Sequence, residues 1–224
     1  VDGAATLGRD VVPFGRLTRA AHRARRMTED AARLAQNVGL TNVNIVANNA
    51  TSGNAYVGAL AGYINNSTIS RAYSTGTVAG GITATGNSII TTGANDTGDY
   101  VGGLIGLAGQ QSGSNFINLA YSTATVSGVR YVGGLAGQIS STTISNSYTA
   151  GNVDAPDGST AIGGLVGASY AGSIINASYN AGNVTAGNST SHIGGLIGYT
   201  YGSTTQNTYN TGTVTAGTNS SAVG

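Results

Sequence analysis

Few side chains in this sequence have the chemistry of a catalytic centre. The two histidines, His22 and His192, lie in different parts of the chain, and the chain has no cysteine and no lysine. Serine is plentiful, but a serine nucleophile needs a histidine and an acidic partner beside it, and the repeated part of the chain offers no such set. A glycan-cleaving site needs paired carboxylates in a groove. We therefore expect no enzyme activity, no catalytic residue and no bound cofactor.

Two short acidic segments could supply oxygen ligands to calcium. Asp96 and Asp99 lie in one segment, and Asp154 and Asp157 lie in the other. Asp, Asn, Pro and Gly together also form turns without any metal, and neither spacing matches a known calcium loop. Turn formation is the favoured interpretation, so no metal site is assigned, although calcium binding at either pair stays open.

The composition excludes several classes of protein. Charged residues make up 8% of the 224 residues, against roughly 25% in an average globular protein, and 37 residues are glycine. A hydrophobic content of 40% argues against a disordered chain, and two prolines argue against collagen. Zero cysteine excludes a disulfide scaffold. No apolar run is long enough for a transmembrane segment.

Charge divides the chain into two parts near residue 40. Residues 1–40 hold seven arginines and four acidic residues, a net charge of +3, whereas residues 41–224 have a net charge of −2. This asymmetry predicts an N-terminal arm with an amphipathic helix over 1–40 and a repeat domain over 41–224. The chain begins with Val, so we expect a processed protein or a fragment.

The second part is built from repeats of about 30 residues. Each begins with a motif such as Tyr131–Gly137 and ends with a Gly-x-Val segment or, in the second unit, Ala-x-Val. Between them, four units have an Ile four residues before a Tyr, and the fifth has Thr205 before Tyr209. Five such units follow one another from residue 56, a sixth opens at Ala222, and the first carries an insertion within 79–99. Residues 44–55 resemble the end of a further, partial unit. A fixed period of this length indicates a repeat fold.

These units predict an all-β fold, a parallel β-solenoid (β-helix) with coils of about 30 residues. The apolar runs are short, β-branched and separated by turn residues, and residues 41–224 show no helical period. Stacked coils place equivalent residues above one another at about 4.8 Å. Val57, Leu60 and Ile69, with their equivalents in later units, should then form dry interior columns. The tyrosines should stack in a row.

The repeat resembles the GLUG-motif family of bacterial surface proteins over residues 56–224. The closest agreement is at Gly133–Gly137 with Ile144–Tyr148, and at Gly163–Gly167 with Ile174–Tyr179. The first unit departs from the motif, with Ala59 in place of the second glycine and Arg71 before its tyrosine. Such repeats occur in large adhesins, haemagglutinin-like proteins and stalks of secreted peptidases. The resemblance implies an extracellular or bacterial cell-surface location, and it brings no catalytic residue.

Residues 16–38 read as an amphipathic helix ending at Gly39, with apolar residues at heptad spacing. The favoured role is an N-terminal α-helical cap on the first coil. Contact with another subunit, a membrane surface or nucleic acid are the alternatives; we expect no nucleic-acid partner and no transmembrane segment. The candidate subunit-interface residues in this part are Val11, Val12, Phe14, Leu17, Ala24, Met27 and Leu34.

The other end of the chain stops at Ala222, Val223 and Gly224, just inside a new coil, and these three residues complete the interface candidates. An uncovered coil end is a template for another chain. We therefore expect a structural extracellular protein, either a homo-oligomeric filament with head-to-tail subunits or an adhesin. The alternative is a stalk or binding module that contacts host or cell-surface glycans through loops such as 79–99. Rows of Thr and Asn at Thr77, Thr125 and Asn152 leave ice binding as a weaker alternative.

Overall fold

The computed structural model describes residues 33–47, 54–80, 82–85, 88–91, 99–109 and 113–224. These residues form about five coils of a parallel β-solenoid, so the predicted fold class is confirmed. Each coil contributes strands to three parallel sheets that run along the solenoid. Among the described residues there is no helix with the length and hydropathy of a membrane span.

The first sheet carries the motif that opens each repeat. Its strands are Tyr56–Gly58, Tyr100–Gly102, Arg130–Gly133, Thr160–Gly163, Ser191–Gly194 and Ser221–Val223. The second sheet follows after a short turn. Its strands are Ala61–Ile64, Ile105–Ala108, Ala136–Ile139, Val166–Ser169 and Ile197–Thr200. Equivalent residues pair in register, as Val101 does with Val132 and Val132 with Ile162.

The third sheet is the widest. It begins with two long strands, Arg33–Ala47 and Ser67–Gly80, which pair in parallel. Every later coil divides the same path into three short strands, one of which starts at the repeat tyrosine. These strands are Asn115–Asn118, Tyr121–Ser122 and Thr125–Ser127; Thr142–Ser145, Tyr148–Thr149 and Val153–Ala155; Ile174–Asn176, Tyr179–Asn180 and Val184–Ala186; and Thr204–Gln206, Tyr209–Asn210 and Val214–Ala216.

A corner in the left-handed backbone conformation precedes the tyrosine of every coil. The residues there have φ between 46° and 54°; they are Arg71, Leu119, Asn146, Ala177 and Asn207. Asn tolerates this conformation, whereas Leu and Ala are strained by their Cβ atoms. The corner turns the chain so that the residue pattern inside the third sheet changes phase before the tyrosine.

The predicted interior columns are present. Leu104, Leu135 and Leu165 are fully buried, as are Ile117, Ile144 and Ile175. Leucine, isoleucine and alanine columns pack between the second and third sheets, and valine columns pack between the first and third. Because each side chain contacts its equivalents in the coils above and below, burial is a property of the stack and not of one coil.

The helix predicted over 16–38 is wrong for its last six residues. Residues 33–38 belong to the strand Arg33–Ala47, and residues 16–32 lie outside the described residues. Ala35 and Val38 pack on the core, whereas Leu34 is 64% exposed. Asn37, with φ of 55°, stands at the corner position. Because this corner breaks the two-residue alternation of the strand, Ala35 and Val38 both face the core at a three-residue spacing that resembles that of a helix.

Gly39, predicted to end that helix, lies in the strand opposite Tyr73. A Cβ atom on Gly39 would lie 2.5 Å from the ring carbon Cζ of Tyr73, so the ring covers the glycine. The described solenoid therefore begins at Arg33. The partial coil predicted before the first full unit is confirmed, and it extends further towards the N-terminus than residue 44.

The insertion in the first repeat contains a hairpin. Ile82–Thr85 and Ser88–Thr91 pair antiparallel, in contrast to the parallel sheets of the coils. An isolated two-stranded hairpin gains little stability by itself in water. Its place between the first and second coils makes it an appendage of the solenoid.

Candidate functional site: the tyrosine face

Five tyrosines form a continuous row on the outer side of the third sheet, which we call the tyrosine ladder: Tyr73, Tyr121, Tyr148, Tyr179 and Tyr209. They pair directly, each with the tyrosine of the next coil. Neighbouring ring centroids are 4.9 to 5.1 Å apart, and the ring planes differ by at most 5°. The predicted stacking of tyrosines is therefore confirmed in this row.

The ladder is half-exposed, and Tyr209 is 55% exposed. Desolvation, and then the neighbouring phenols of Tyr148 and Tyr73, raise the pKa of Tyr121. The pKa of Tyr179 is raised for the same reasons, with Tyr148 and Tyr209 as its neighbours. Tyr121 and Tyr179 are thus uncharged phenols at neutral pH.

Amide side chains accompany the ladder on one flank. Asn146 Nδ2 donates to Asn118 Oδ1 at 2.9 Å, and Asn207 Nδ2 donates to Asn176 Oδ1 at the same distance. Each bond joins one coil to its neighbour. Amides that pair along a stack in this way fix the register of the coils.

A second tyrosine row lies on the first sheet and is made of Tyr56, Tyr100 and Tyr131. The rings stack at 5.0 Å, but Tyr100 is only 7% exposed. Tyr170 lies beside this row. Desolvation, followed by a side-chain hydrogen bond with Tyr131, raises the pKa of Tyr170. Within this second row Tyr100 is buried, whereas Tyr56 is 38% exposed.

The interior contains a polar column that the sequence analysis missed. It follows the ladder by one residue and consists of Ser74, Ser122, Thr149, Asn180 and Asn210. The first four are fully buried. Ser74 Oγ donates to the carbonyl of Gly103 at 2.6 Å, Thr149 Oγ1 donates to that of Gly164 at 2.9 Å, and Asn180 Nδ2 donates to that of Gly195 at 2.9 Å.

This polar column explains the second glycine of the repeat motif. A Cβ atom on Gly164 would collide with the side chain of Asn180 and with the carbonyl of Gly195. Because the glycine φ values there are not in the left-handed region, close approach and not backbone conformation requires the glycine. The second glycine of the motif thus lets two walls of the solenoid approach each other closely.

The other residues singled out in the sequence do not form a reactive cluster in the described ranges. The ring of His192 packs edge-on against Tyr199 at 5.2 Å, and His22 lies outside those ranges. No group of three or more His, Cys, Asp or Glu side chains comes together in the part of the chain that the structure describes.

The acidic residues have structural contacts. Asp157 Oδ1 accepts a hydrogen bond from the backbone amide of Asn188 at 2.7 Å, and Asp99 Oδ1 accepts one from the amide of Ala55 at 3.3 Å. Desolvation raises the pKa of Asp154. Asp96 lies outside the described residues. These bonds support the turn interpretation of the two acidic segments.

Side chains of the outward Thr and Asn row form hydrogen bonds with the backbone of neighbouring coils. Asn152 Oδ1 accepts from the amide of Asn183 at 3.2 Å, and Asn183 Oδ1 accepts from the amide of Thr213 at 3.0 Å. Two of the five side chains in this row therefore turn back on the solenoid. A uniform threonine surface, as ice binding requires, is interrupted at these coils.

Four of the ten interface candidates can be located. Leu34 borders a depression of about 220 Å³ at the start of the described solenoid, together with Leu60 and Tyr63. Ala222 and Val223 are exposed in the strand Ser221–Val223, and the amide of Gly224 donates to the carbonyl of Ile193. The other six, Val11, Val12, Phe14, Leu17, Ala24 and Met27, lie outside the described residues.

Comparison with known proteins adds no relative: no family model, no curated protein and no solved structure matches the chain.

Proposed function

We propose that this chain is a structural module of an extracellular protein on a bacterial cell surface, an adhesin-type β-solenoid made of GLUG-like repeats. The observation that carries the proposal is the in-register stacking of coils, in which interior columns and outward rows repeat with the same spacing. Such a stack is a stiff rod whose stability grows with each neighbour contact. A rod of this kind suits a stalk or fibre better than a catalytic scaffold.

The outer surface supports the same role. The described residues contain few charges, and the third sheet presents phenol, amide and hydroxyl groups in long rows. Polar surfaces without strong charge do not repel neighbouring copies or cell-wall polymers. We therefore place the module between a cell-surface anchor and its partner, where length and stiffness matter.

Cell-surface labelling tests the location. Intact cells that produce the full gene product are treated with an external protease, and the solenoid is followed with an antibody against its exposed ladder coil at 204–216. We expect the signal to disappear from intact cells while a cytoplasmic marker survives. Full protection in intact cells, with digestion only after lysis, contradicts a surface location.

Head-to-tail stacking between copies is the proposed route to a filament. The outer side of residues 191–224 carries a depression of about 490 Å³ whose lining includes Leu196, Ile197 and Asn210. A further coil, supplied by the same protein or by a second copy, would bury these side chains. Electron microscopy and sedimentation of the full gene product distinguish fibres from discrete monomers, and monomers at high concentration contradict the filament.

The N-terminal segment has a matching role in this proposal. The depression beside Leu34 and Leu60 is apolar, and the chain enters the described solenoid next to it. We propose that residues 16–32 cover this end as a helical cap. Deleting residues 1–32 should then lower the thermal midpoint and expose apolar surface to a hydrophobic dye, and an unchanged midpoint contradicts the cap.

Ligand display is the second candidate function, and the hairpin at 82–91 favours it. This hairpin departs from the parallel sheets, as an appended binding loop does. A glycan array with the full chain and with a variant lacking 81–98 tests it. Binding that disappears with the hairpin supports display, whereas binding by neither protein leaves the module a spacer.

A further inference from the structure

We propose that the tyrosine ladder is a site of oxidative cross-linking, where a peroxidase with hydrogen peroxide joins neighbouring coils through dityrosine. The ladder aligns phenols on consecutive coils, with ring centroids 4.9 Å apart between Tyr121 and Tyr148. The chemistry depends on this alignment alone and not on the location of the protein.

The stacking distance suits bond formation between rings. The torsion that turns a tyrosine ring about its own axis is soft. When two neighbouring rings of the ladder turn towards a common plane, the carbons ortho to their hydroxyls approach each other edge to edge. The backbone holds both tyrosines in register, so the two rings do not have to meet by diffusion. Holding two reactants side by side in this way is what makes intramolecular reactions fast.

The reaction balances with one peroxide for each link. The peroxidase withdraws one electron and one proton from each of two phenols, and hydrogen peroxide is reduced to two water molecules. The two tyrosyl radicals combine through their ortho carbons and form one carbon–carbon bond. Each bonded carbon then releases its hydrogen as a proton, and each oxygen takes up a proton, so that both rings become phenols again.

Access of the oxidant distinguishes the ladder from the second tyrosine row. Tyr121 and Tyr148 are half-exposed, whereas Tyr100 is 7% exposed although it stacks on Tyr131 at 5.0 Å. An electron-transfer partner the size of a peroxidase reaches the exposed row first. Tyr100 is therefore a control for a stacked but buried phenol within the same chain.

A link between coils changes the stability of the array. Tyr121 and Tyr148 are 27 residues apart in sequence, so a bond between them closes a loop of one coil. Such a link restricts the unfolded chain as a disulfide does, in a protein that has no cysteine. Oxidation thus gives the solenoid the covalent staples that its sequence lacks.

The arginines of the chain make the test specific. Trypsin cuts after Arg71 and Arg130, and the chain has no lysine, so Tyr121 lies in the peptide 72–130 and Tyr148 lies in the peptide 131–224. The folded chain is treated with a haem peroxidase and limiting hydrogen peroxide, and the monomer is isolated, unfolded and digested. We expect the two peptides joined, with a mass two hydrogens below their sum, and with dityrosine fluorescence.

Matched variants assign the link. Tyr121→Phe and Tyr148→Phe keep a stacked ring and should each reduce the joined peptide about tenfold or more, since the oriented partner is lost. Tyr100→Phe should leave its yield unchanged. The proposal is overturned by equal yields in Tyr121→Phe and the unsubstituted chain, by equal yields from chain unfolded in urea, or by dityrosine found only between molecules.

Discussion

The side-chain amide of Asn180 crosses the interior of the solenoid and donates a hydrogen bond to the carbonyl of Gly195, in the turn of the next coil, at 2.9 Å. The same amide bonds to Gly182 and to Asn210, and its oxygen accepts from Thr149. Asn180 is fully buried. This column ties the third sheet to the opposite turn inside the solenoid.

Replacing Asn180 by Ala should lower the free energy of unfolding by about 3 kcal/mol, because buried polar groups lose their partners. Equilibrium unfolding in urea measures the change. Asn183→Ala is the matched control, since Asn183 is exposed and its side chain caps one backbone amide; it should cost at most about 1 kcal/mol. Similar losses for the two variants contradict a special role of the interior column.

Gly164→Ala should be strongly destabilising, by about 3 kcal/mol or more, because the added methyl group collides with a carbonyl that cannot move independently. Gly158→Asn is the control. Gly158 has φ of 73° and open space around it, and Asn219 occupies the equivalent position of a later coil with φ of 58°. Thermal unfolding should place the control within a few degrees of the parent. A Gly164→Ala protein as stable as the parent excludes the packing explanation.

The same core substitution should lower the free energy of unfolding more in a middle coil than in the last described coil. Leu165→Ala removes a fully buried side chain with neighbours in two coils and should cost about 2 to 5 kcal/mol. Leu196 is only partly buried, so Leu196→Ala in the same chain should cost less than half as much. Urea unfolding of both variants provides the comparison. Equal costs are incompatible with stability that arises from neighbouring coils.

The left-handed corner offers a stabilising substitution. Ala177 has φ of 46°, whereas the same position is occupied by Asn37, Asn146 and Asn207 in other parts of the stack. Ala177→Asn should raise the free energy of unfolding by about 1 kcal/mol, because Asn adopts this conformation at lower cost. Ala181→Asn, at an exposed position without positive φ, should be neutral. A destabilised Ala177→Asn protein shows that the corner is not strained.

Asp154 gives the solenoid a pH dependence of known sign. Desolvation raises its pKa in the folded state, so the folded protein holds the proton more tightly than the unfolded chain does. The stabilising effect of this proton is present below the unfolded pKa and is lost as the pH rises through the folded pKa. Asp154→Thr, the residue found at the equivalent Thr185, should therefore raise the thermal midpoint at neutral pH.

The thermal midpoint of the Asp154→Thr protein should also change less between mildly acidic and neutral pH than that of the parent. Asp157→Asn is the control, since Asp157 is exposed and accepts hydrogen bonds through its carboxylate. A steeper acid dependence in Asp154→Thr than in the parent contradicts the assigned sign.

The recurring apolar residues allowed the solenoid to be predicted from the sequence. The polar column in its interior was not predicted. Equivalents of Leu135 recur in all five units and equivalents of Ile144 in four of them, and only a stack of coils buries such residues. Ser122, Thr149 and Asn180 differ in type from coil to coil and read as surface residues. Their burial depends on the carbonyls of the opposite turn, which a single repeat does not show.

Backbone conformation accounts for other differences between the structure and the sequence-based prediction. Leu119 and Ala177 carry no mark of a left-handed corner, so the change of phase before each tyrosine was not predicted. The same corner at Asn37 placed Ala35 and Val38 on the core at a helix-like spacing within a strand. The stacking of Tyr121 on Tyr148 was predicted, but the burial of Tyr100 was not, because Tyr56 occupies the equivalent position and is exposed.

Distances between spin labels test the stacking of coils most directly. The chain has no cysteine, so labels can be placed only where they are wanted. Thr213 lies in the same outward row as Thr125 and Thr77, three coils away from Thr125 and four coils away from Thr77. Two variants carry the labels, one with cysteines at 125 and 213 and the other with cysteines at 77 and 213. Because each coil adds one strand spacing, pulsed electron spin resonance should give narrow distance distributions, near about 14 Å for the first pair of backbone positions and about 19 Å for the second. Distances that do not increase with the number of coils between the labels contradict the solenoid.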